Sequence, residues 1–453
     1  MDLNNKRVVV VGLGRSGVAT VRFLVRQGAR VTVSDRAAAS ALKPAIDALA
    51  GLDVRLKLGG HDAGDFEHAD LVVLSPGVPH TQPMLEPAWA AGIPVIGEME
   101  LAAAHVQAPI IAVTGTNGKT TTTELVGEML KNSGKRVFVG GNIGTPLIAY
   151  ADGAYGTADV IVAETSSFQL DTTVDFRPAT AVVLNITDDH LDRYAGFSAY
   201  AASKWRIFAN QHSGDLAVFN AMDATVAGML DRVGLRARRQ PFSDQPLNQG
   251  AQITGDAIMI MENGRRTAVF SLAKSALIGP HNRENLAAAC LAARAHGASR
   301  EGIQQTIDTF GGLAHRVEPV GTVRGVRFVN DSKATNVDAV KRALECFDVP
   351  VVLIMGGQNK KGDFSRLKAL VRRRVKTLVV LGQARDEIVT ALAGDPRAGI
   401  IEVATMDEAV TQAFAAAEDG EAVLLSPACA SFDMFDSYAH RGDCFRKAVE
   451  RLL

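Results

Sequence analysis

The sequence predicts an α/β protein of three domains, each built on a parallel β-sheet. Its 453 residues exceed what one hydrophobic core usually holds and correspond to about three domains. A short β-branched run leads into a turn motif three times, at Arg7–Val11 before GLGRSG, Ile110–Thr114 before GTNGKT, and Val326–Val329 before NDSKATN. Continuous apolar runs alternate with segments of helical period, which indicates parallel sheets covered on both faces.

Turn residues mark the expected domain boundaries. Gln107-Ala108-Pro109 and Gly311-Gly312-Leu313 interrupt helical patterns. The predicted domains are 1–108, 109–312 and 313–453. The stretch from about 237 to 266 is less regular, which predicts an insertion or a sheet extension in the middle domain.

The composition excludes several classes of protein. It is 47% hydrophobic and 21% charged, as in ordinary globular proteins. Lysine plus arginine (48) nearly balance aspartate plus glutamate (49), so neither nucleic acid nor an anionic membrane is an expected partner. No apolar stretch approaches the roughly 20 residues of a membrane span, and the N-terminus lacks the pattern of a signal peptide. Four dispersed cysteines fit reduced, mostly buried thiols, and we expect a cytoplasmic protein.

The motif TGTNGKTT predicts a phosphate-binding loop at Gly115–Thr120. It joins an apolar strand to a helix start, where backbone N–H groups point at a bound anion. Lys119 supplies positive charge for the outer phosphates, and the hydroxyl of Thr120 can ligate Mg²⁺. Val113 stands where the usual spacing has glycine, so the loop is a shortened variant. We expect binding of a nucleoside triphosphate.

A second glycine loop follows the first predicted strand. Gly12, Gly14 and Gly17 form GxGxxG, and Asp35 ends the next strand where a ribose-binding acid would lie. The pattern is typical of a dinucleotide site, but a diphosphate-linked sugar nucleotide suits the same turn. An NAD(P)-dependent oxidoreductase is therefore the alternative function.

Two further residues, Glu164 and His190, are candidate metal ligands. Glu164 ends a predicted strand beside the phosphate loop and is either a Mg²⁺ ligand or a helix-capping acid. His190 lies among Asp188, Asp189 and Asp192, in either a metal site or a solvated acidic turn. Lys204 lies on a predicted helix and by itself predicts only a solvated amphipathic face.

Ten motifs occur in order along the chain. They are TGTNGKTT, GNIGTP, ETSSFQL, NITDDHLDRY, the helical Lys204, HNRENLAAA, GGLAHRVE, NDSKATN, GGQNKKGDF, and LLSPACASFDMF with a following RG. In this order and spacing the sequence resembles the Mur ligases over essentially its whole length. NDSKATN, SPACASFDMF and the short first domain opening with GLGRSG are similar to those of the member that adds D-glutamate.

The resemblance implies a fold and a reaction. The fold would have a Rossmann-like N-terminal domain, a central P-loop ATPase-like parallel sheet with an extra small sheet, and a Rossmann-like C-terminal domain. The reaction would join D-glutamate to UDP-N-acetylmuramoyl-L-alanine through an acyl phosphate, in cytoplasmic peptidoglycan precursor synthesis, with ATP, two Mg²⁺ ions and a monomeric chain. Further alternatives are another Mur-type amide ligase, a folylpolyglutamate-type amide ligase and a non-enzymatic nucleotide-binding regulator.

The resemblance also implies roles for particular residues. Catalytic roles fall on Lys119, Asn142, His190 and Lys204. ATP contacts fall on Gly115, Thr116, Asn117, Gly118, Lys119, Thr120, Thr121, Asn282, Asn285, Arg316 and Asp331. Contacts to the UDP-linked substrate fall on Gly14, Arg15, Ser16, Gly17, Asp35, Arg36 and Ser75. D-glutamate contacts fall on Lys333, Thr335, Lys360, Ser431, Phe432 and Tyr438. Metal ligands are Thr120, Glu164, His190 and Lys204, the last as a carbamate, which turns a cation into a carboxylate-like anion.

Overall fold

The computed structural model describes residues 1–191, 193–230, 234–397 and 399–452. They form two compact units. The first contains Met1–Ile186, Ala201–Ala273 and Glu284–Asp308, and the second contains the described parts of Thr187–Tyr200, Lys274–Arg283 and Thr309–Leu453. Two β-sheets lie in the first unit and a third lies in the second. The three sheets confirm the α/β fold class, whereas the boundaries after residues 108 and 312 stay predictions.

The first sheet has five parallel strands in the order β3-β2-β1-β4-β5. Its strands are β1 (Arg7–Val11), β2 (Arg30–Asp35), β3 (Val54–Leu58), β4 (Leu71–Leu74) and β5 (Val95–Gly97). Its helices are α1 (Arg15–Arg26), α2 (Lys43–Asp47), α3 (Ala63–Glu67), α4 (Glu86–Ala90) and α5 (Glu98–Ala103). The order reverses between β1 and β4, and ligands of open parallel sheets bind at the carboxyl ends of the strands at such a point. The loop at Gly12–Gly17 begins there.

The second sheet has nine strands in the order β14-β13-β12-β11-β10-β9-β6-β8-β7. Its strands are β6 (Ile110–Thr114), β7 (Val137–Gly141), β8 (Val160–Glu164), β9 (Thr180–Val183), β10 (Leu216–Asn220), β11 (Arg238–Ser243), β12 (Gly250–Ile253), β13 (Ala257–Glu262) and β14 (Arg265–Ser271). Its helices are α6 (Lys119–Lys131), α7 (Leu147–Ala151), α8 (Ser167–Leu170), α9 (Phe197–Trp205), α10 (Ala224–Leu230), α11 (Pro280–Ala295) and α12 (Arg300–Thr309).

The irregular stretch near residues 237–266 extends this second sheet. β12 pairs in parallel with β11, and β13 and β14 then add antiparallel strands. The expected extra small sheet is therefore not separate, which corrects that detail of the prediction. The physical reason is that the free edge of β11 offers backbone groups to the next strand.

The third sheet has six strands in the order β15-β16-β20-β17-β18-β19, with only β15 antiparallel. Its strands are β15 (Glu318–Val323), β16 (Val326–Asn330), β17 (Val351–Gly356), β18 (Val375–Leu381), β19 (Ile400–Glu402) and β20 (Ala422–Leu425). Its helices are α13 (Val337–Leu344), α14 (Lys368–Arg374), α15 (Arg385–Leu392), α16 (Met406–Ala416) and α17 (Tyr438–Glu450). Alternate residues of β17 belong to two separate apolar cores, which explains why this strand reads as continuously apolar.

The four cysteines form no disulfide. Cys290 and Cys429 are buried, and burial raises the pKa of each thiol to about 12. These two confirm the expectation of buried thiols, whereas Cys346 and Cys444 are partly exposed.

Candidate active site

The phosphate loop has the predicted arrangement of strand, loop and helix. β6 ends at Thr114, and α6 begins at Lys119 after Gly118, whose φ of 86° lies in the left-handed region. A Cβ on Gly118 would overlap the amide oxygen of Asn285, so backbone conformation and close packing both require glycine here. Asn285 itself is buried and lies against this loop, and its contact with ATP stays a prediction.

Lys119 folds back over this loop. Its Nζ donates to the carbonyl oxygens of Gly115 and Thr116, both at 2.9 Å. The other side of the loop is held by Asn185, whose amide oxygen accepts the N–H of Asn117 at 2.9 Å and whose amide nitrogen donates to the Asn117 carbonyl at 3.0 Å. Asn185 was not predicted as a site residue, although it stands at the start of the NITDDHLDRY motif.

Glu164 joins two other predicted residues into one cluster. Its Oε2 accepts from Thr120 Oγ1 at 2.7 Å, and its Oε1 accepts from Asn142 Nδ2, also at 2.7 Å. Glu164 is buried, whereas Asn142 is exposed. The helix-capping alternative for Glu164 is wrong, because α8 is capped by the side chain of Ser166 in a capping box with Gln169.

Lys204 also lies at the phosphate loop. Its side chain is 1% exposed, and its Nζ donates to the Gly115 carbonyl at 2.8 Å. The sequence pattern by itself predicted a solvated lysine, and that interpretation is wrong. A nearly fully buried lysine is costly unless it is paired, which makes a role at the site physically reasonable.

The first glycine loop is tightly built at the switch point of the first sheet. A Cβ on Gly17 would overlap the Gly12 carbonyl oxygen, and Ser75 Oγ donates to that same oxygen at 2.8 Å. Asp35 accepts the N–H of Leu13 at 2.7 Å and the N–H of Ala37 at 2.8 Å. Asp35 and Ser75 thus hold the loop together. Gly14, Arg15 and Arg36 are exposed, and Ser16 is half-buried.

In the second unit, Lys360 is held by an aspartate of the NITDDHLDRY segment. Lys360 Nζ donates to Asp189 Oδ1 at 2.9 Å, and Asn336 Nδ2 donates to Asp189 Oδ2 at 3.2 Å. Arg366 donates to Asp188 at 2.5 Å. Both carboxylates are ion-paired, but only the Asp189 side chain, at 9% exposed, is largely buried, so the solvated-turn interpretation is wrong for Asp189 and not for the exposed Asp188. Asp192 lies outside the described residues.

A small pocket of about 110 Å³ opens at this ion-paired cluster. Its lining includes Thr335 and Lys360, two of the predicted D-glutamate residues, and both aspartates. His190 follows directly with a φ of 54°, and its Nε2 lies 3.7 Å from Asp189 Oδ2. The pocket thus combines cationic, anionic and hydroxyl groups.

The remaining predicted D-glutamate residues lie on the turns that lead into α13 and α17 or, for Tyr438, at the first position of α17. Lys333 Nζ lies 3.8 Å from the centre of the Tyr438 ring, a cation–π contact. Ser431 is buried, whereas the Phe432 side chain is 73% exposed. None of these four residues lines the pocket at Lys360.

Arg316 lies in a backbone segment with two strained neighbours. His315 has a φ of 64° and Val317 a φ of 45°, which is unfavourable for any residue other than glycine and most of all for a β-branched one. Asp331 Oδ1 accepts the Val317 N–H at 3.2 Å, and Asp331 Oδ2 accepts from Ser426 Oγ at 2.8 Å. Asp331 therefore helps to hold the segment that carries Arg316.

Asp331 should make the stability of the protein depend on pH. Burial raises the pKa of its carboxyl to about 7, against 3.8 for an ordinary aspartate. Between these values the folded state keeps a proton that the unfolded state has released, so this group's contribution to the free energy of unfolding falls as the pH rises towards 7. We therefore compare the free energies of unfolding of Asp331→Asn and the wild type. We expect the difference in favour of the variant to be about 2 to 3 kcal/mol larger at pH 8 than at pH 5.

Denaturant unfolding of both proteins without ATP at the two pH values measures this difference. Asp363→Asn is the control, because Ser365 lowers the pKa of Asp363 and keeps it ionised at both pH values. An Asp331→Asn advantage that is the same at pH 5 and pH 8 would contradict the prediction.

Arg441 has a structural role. In the sequence it is notable only as part of the RG motif. It is 2% exposed and donates to the carbonyls of Ser332, Cys429 and Ala430 at 2.8, 3.1 and 3.3 Å. It therefore fixes the turn before Lys333 against the turn before Ser431. Burial lowers its pKa to about 10, so it remains a cation at neutral pH.

The oxygen donors at the phosphate loop fit a magnesium ion. The Thr120 hydroxyl and the Glu164 carboxylate are hard oxygen ligands at the place where triphosphate oxygens would lie. Within the described ranges, no three His, Cys, Asp or Glu side chains come together as a metal-binding group. The candidate ligands include a threonine and a lysine, which do not belong to that set.

These features define a class of protein: a P-loop nucleotide-binding enzyme of three α/β domains. Residues 113–293 match the Mur ligase middle domain, residues 6–97 the Mur ligase MurD-like N-terminal domain, and residues 315–429 the Mur ligase glutamate ligase domain. The chain belongs to the Mur ligase family.

Relatives named UDP-N-acetylmuramoylalanine–D-glutamate ligase match over the full length. The protein of Desulfosudis oleivorans is 49% identical, covering 100% of this chain and 98% of the relative. That of Desulfatibacillum aliphaticivorans is 48% identical, covering both chains completely. The MurF ligase of Thermotoga maritima in complex with ADP has the same fold, with a TM-score of 0.63 at 16% identity over 99% of this chain and 96% of that one. In the described part of the chain, no helix has the length and apolar character to cross a bilayer.

Proposed function

We propose that this protein is an ATP-dependent ligase that joins D-glutamate to UDP-N-acetylmuramoyl-L-alanine, as a cytoplasmic step of peptidoglycan precursor synthesis. The observation that carries the proposal is the cluster of Thr120, Glu164 and Asn142 beside the phosphate loop. It lies in a chain whose full-length relatives bear that enzyme's name. The match of residues 6–97 favours a UDP-linked substrate over nicotinamide at the first glycine loop.

The reaction begins with activation of a carboxylate. An oxygen of the alanyl carboxylate attacks the γ-phosphorus of ATP, the bond from that phosphorus to the bridging oxygen breaks, and ADP leaves. Phosphorylation converts an unreactive carboxylate into an acyl phosphate with a good leaving group. Lys119 and the loop N–H groups hold the phosphates, and Asn142 orients the attacking carboxylate.

The second step forms the amide. The amino nitrogen of D-glutamate attacks the acyl carbon and gives up a proton. The tetrahedral intermediate then expels inorganic phosphate. Thr335 and Lys360 bind a carboxylate of D-glutamate, together with Lys333, Ser431, Phe432 and Tyr438. Arg316, Asp331 and Asn282 contact ATP, and Gly14–Gly17, Asp35, Arg36 and Ser75 surround the UDP group.

Mg²⁺ would neutralise the triphosphate charge and polarise its oxygens. Thr120 and Glu164 would hold one ion. His190 and a carbamylated Lys204 would hold the second, a role that rests on the family resemblance. We propose that residues 1–108 bind the UDP-linked substrate, residues 109–312 bind ATP and residues 313–453 bind D-glutamate. We also propose that the protein is a monomer, which analytical ultracentrifugation would test by measuring its mass in solution.

The proposal is tested by phosphate release from ATP and Mg²⁺ with UDP-N-acetylmuramoyl-L-alanine against a panel of D- and L-amino acids. We expect release with D-glutamate and not with L-glutamate or L-alanine, and the product mass should increase by one glutamyl residue. Turnover with another amino acid but none with D-glutamate would contradict the specificity.

Lys360 gives a separate prediction about D-glutamate. We expect Lys360→Met to raise KM for D-glutamate by about 10- to 100-fold, because a hydrogen bond to a charged group is worth about 1.5 to 3 kcal/mol. KM for ATP should stay the same. Lys368→Met, an exposed lysine at the start of α14, is the matched control. An unchanged KM for D-glutamate in Lys360→Met would remove this residue from the binding site.

A further inference from the structure

The turn from β5 into α5 is bonded to the second sheet's loops at several points. Gly97 N–H donates to the Thr172 carbonyl at 3.0 Å, and a Cβ on Gly97 would overlap the Thr172 hydroxyl. The glycine is therefore needed for close contact. Two acidic residues follow it in α5, Glu98 and Glu100, and both are buried.

Glu98 caps the start of α7. Its Oε1 accepts the backbone N–H of Ile148 at 2.8 Å. Its Oε2 has no hydrogen-bond partner among the described residues. Burial raises the pKa of this carboxyl to about 7, so a neutral side chain of the same shape is a fair substitute for it. Its single hydrogen bond is to a backbone group and not to a cation.

Glu100 binds a second segment, residues 174–176. Its carboxylate accepts the backbone N–H groups of Val174 at 2.9 Å, Asp175 at 2.8 Å and Phe176 at 3.0 Å. This segment lies a few residues after α8, the helix that follows Glu164. Glu98 and Glu100 therefore fix the start of α7 and the segment 174–176 to helix α5.

The segment held by Glu98 leads directly to Asn142. Helix α7 begins at Leu147, immediately after the loop Gly141–Pro146 that carries Asn142. Asn142 N–H donates to the Glu164 carbonyl at 2.9 Å, and its side chain donates to the Glu164 carboxylate. A shift at the start of α7 would therefore move Asn142 relative to Glu164 and the phosphate loop.

We infer that Glu98 is a positioning residue for the ligation: its carboxylate oxygen holds the start of α7 and thereby the Asn142 loop in register with Glu164. The inference rests on the proposed role of Asn142 in the reaction. It assigns the function to the acceptor oxygen and the length of the side chain, and gives no role to its charge.

Two conservative variants separate these features. Glu98→Gln keeps the length and the acceptor oxygen and removes the charge, and we expect kcat close to the wild-type value. Glu98→Asp keeps the charge but withdraws the carboxylate by about 1.5 Å, one C–C bond. We expect kcat to fall about 10- to 100-fold with KM for ATP unchanged, because displacements of about 1 Å have such effects.

Amide hydrogen exchange gives a readout that does not depend on activity. We expect the Ile148 amide to lose protection in Glu98→Asp and to keep it in Glu98→Gln. Thermal unfolding of each variant checks that it is folded. Asp159→Asn is the control, since Asp159 also accepts a backbone N–H, that of Arg136 at 2.9 Å, but just before β7 and β8 at the amino ends of these strands.

The outcomes distinguish the inference from the proposed function. Wild-type kcat in Glu98→Asp, or a large loss in folded Glu98→Gln, would overturn the inference. If Glu98 acts through Asn142, Glu98→Asp should add little to the loss caused by Asn142→Ala. An additive loss would show that Glu98 acts elsewhere, and a wild-type rate in Asn142→Ala would refute the proposed role of Asn142 itself.

Discussion

Replacing Lys119 with methionine should lower kcat for D-glutamate-dependent phosphate release by about 10²- to 10³-fold, the usual effect of removing one fixed donor from a site of developing charge. Methionine keeps the length and the apolar stem of lysine and removes the ammonium. In the structure this ammonium donates to the phosphate-loop carbonyls of Gly115 and Thr116. Because the apolar stem is kept, we expect the variant to fold and the loss to appear in kcat.

Lys131→Met is the matched control for this experiment. Lys131 is the last residue of the same helix, α6, and forms an exposed pair with Glu128 at 2.8 Å. Exposed pairs of this kind contribute little, so neither kcat nor stability should change much. Lys119→Arg adds a second comparison, because guanidinium keeps the charge but not the compact geometry of the ammonium. A Lys119→Met enzyme with wild-type kcat would exclude Lys119 from phosphate transfer.

Replacing Lys204 with alanine should lower kcat by about 100-fold or more, with partial recovery in the presence of acetate or another small carboxylic acid. The side chain is almost fully buried, and its Nζ lies 2.8 Å from the Gly115 carbonyl. If the lysine is carbamylated, it presents a carboxylate to a cation. Alanine leaves a cavity in which a free carboxylic acid can take its place.

Lys204→Met tests whether the loss of activity in Lys204→Ala comes from the missing carboxylate or from the lost packing of the side chain. Methionine fills the cavity and supplies no oxygen, so we expect a similar loss without rescue by acetate. The carbamate itself is detected by ¹³C NMR after incubation of the wild-type protein with ¹³C-bicarbonate. Wild-type activity in Lys204→Ala would remove the carbamate from the mechanism, and equal rescue of both variants would show that the acid acts outside the cavity.

Local patterns predicted most of the fold. The apolar runs at Arg7–Val11 and Ile110–Thr114 are strands with those bounds, and Glu164 ends a strand as predicted. Such runs are readable because a parallel strand buried on both faces needs apolar residues at every position. The sequence left open whether the stretch near residues 237–266 is an insertion or a sheet extension, because sheet membership depends on which edge is free. The structure shows an extension, with β12 on β11, β13 on β12 and β14 on β13.

The candidate site residues also differ in how far the sequence alone could identify them. Lys119 and Thr120 were recognisable because the phosphate loop is one contiguous segment. Glu164 was placed by the end of its strand, but the choice between a metal ligand and a helix cap needed the contacts with Thr120 and Asn142. For His190 the sequence pattern left a metal site and an acidic turn open. The roles of Lys204 and of the D-glutamate residues came from the family resemblance, and all these roles stay predictions.

The sequence by itself determined the three α/β sheets, the phosphate loop and the family, because each is written in contiguous motifs or local periodicity. Only the tertiary structure decided that Lys204 is buried against the phosphate loop, that Asp189 holds Lys360, and that Glu98 caps the helix behind Asn142. These pairs are separated by 89, 171 and 50 residues along the chain. Burial and pairing of polar groups depend on neighbours that only folding brings together, and those neighbours decide whether a lysine or a glutamate is a solvated side chain or part of a site.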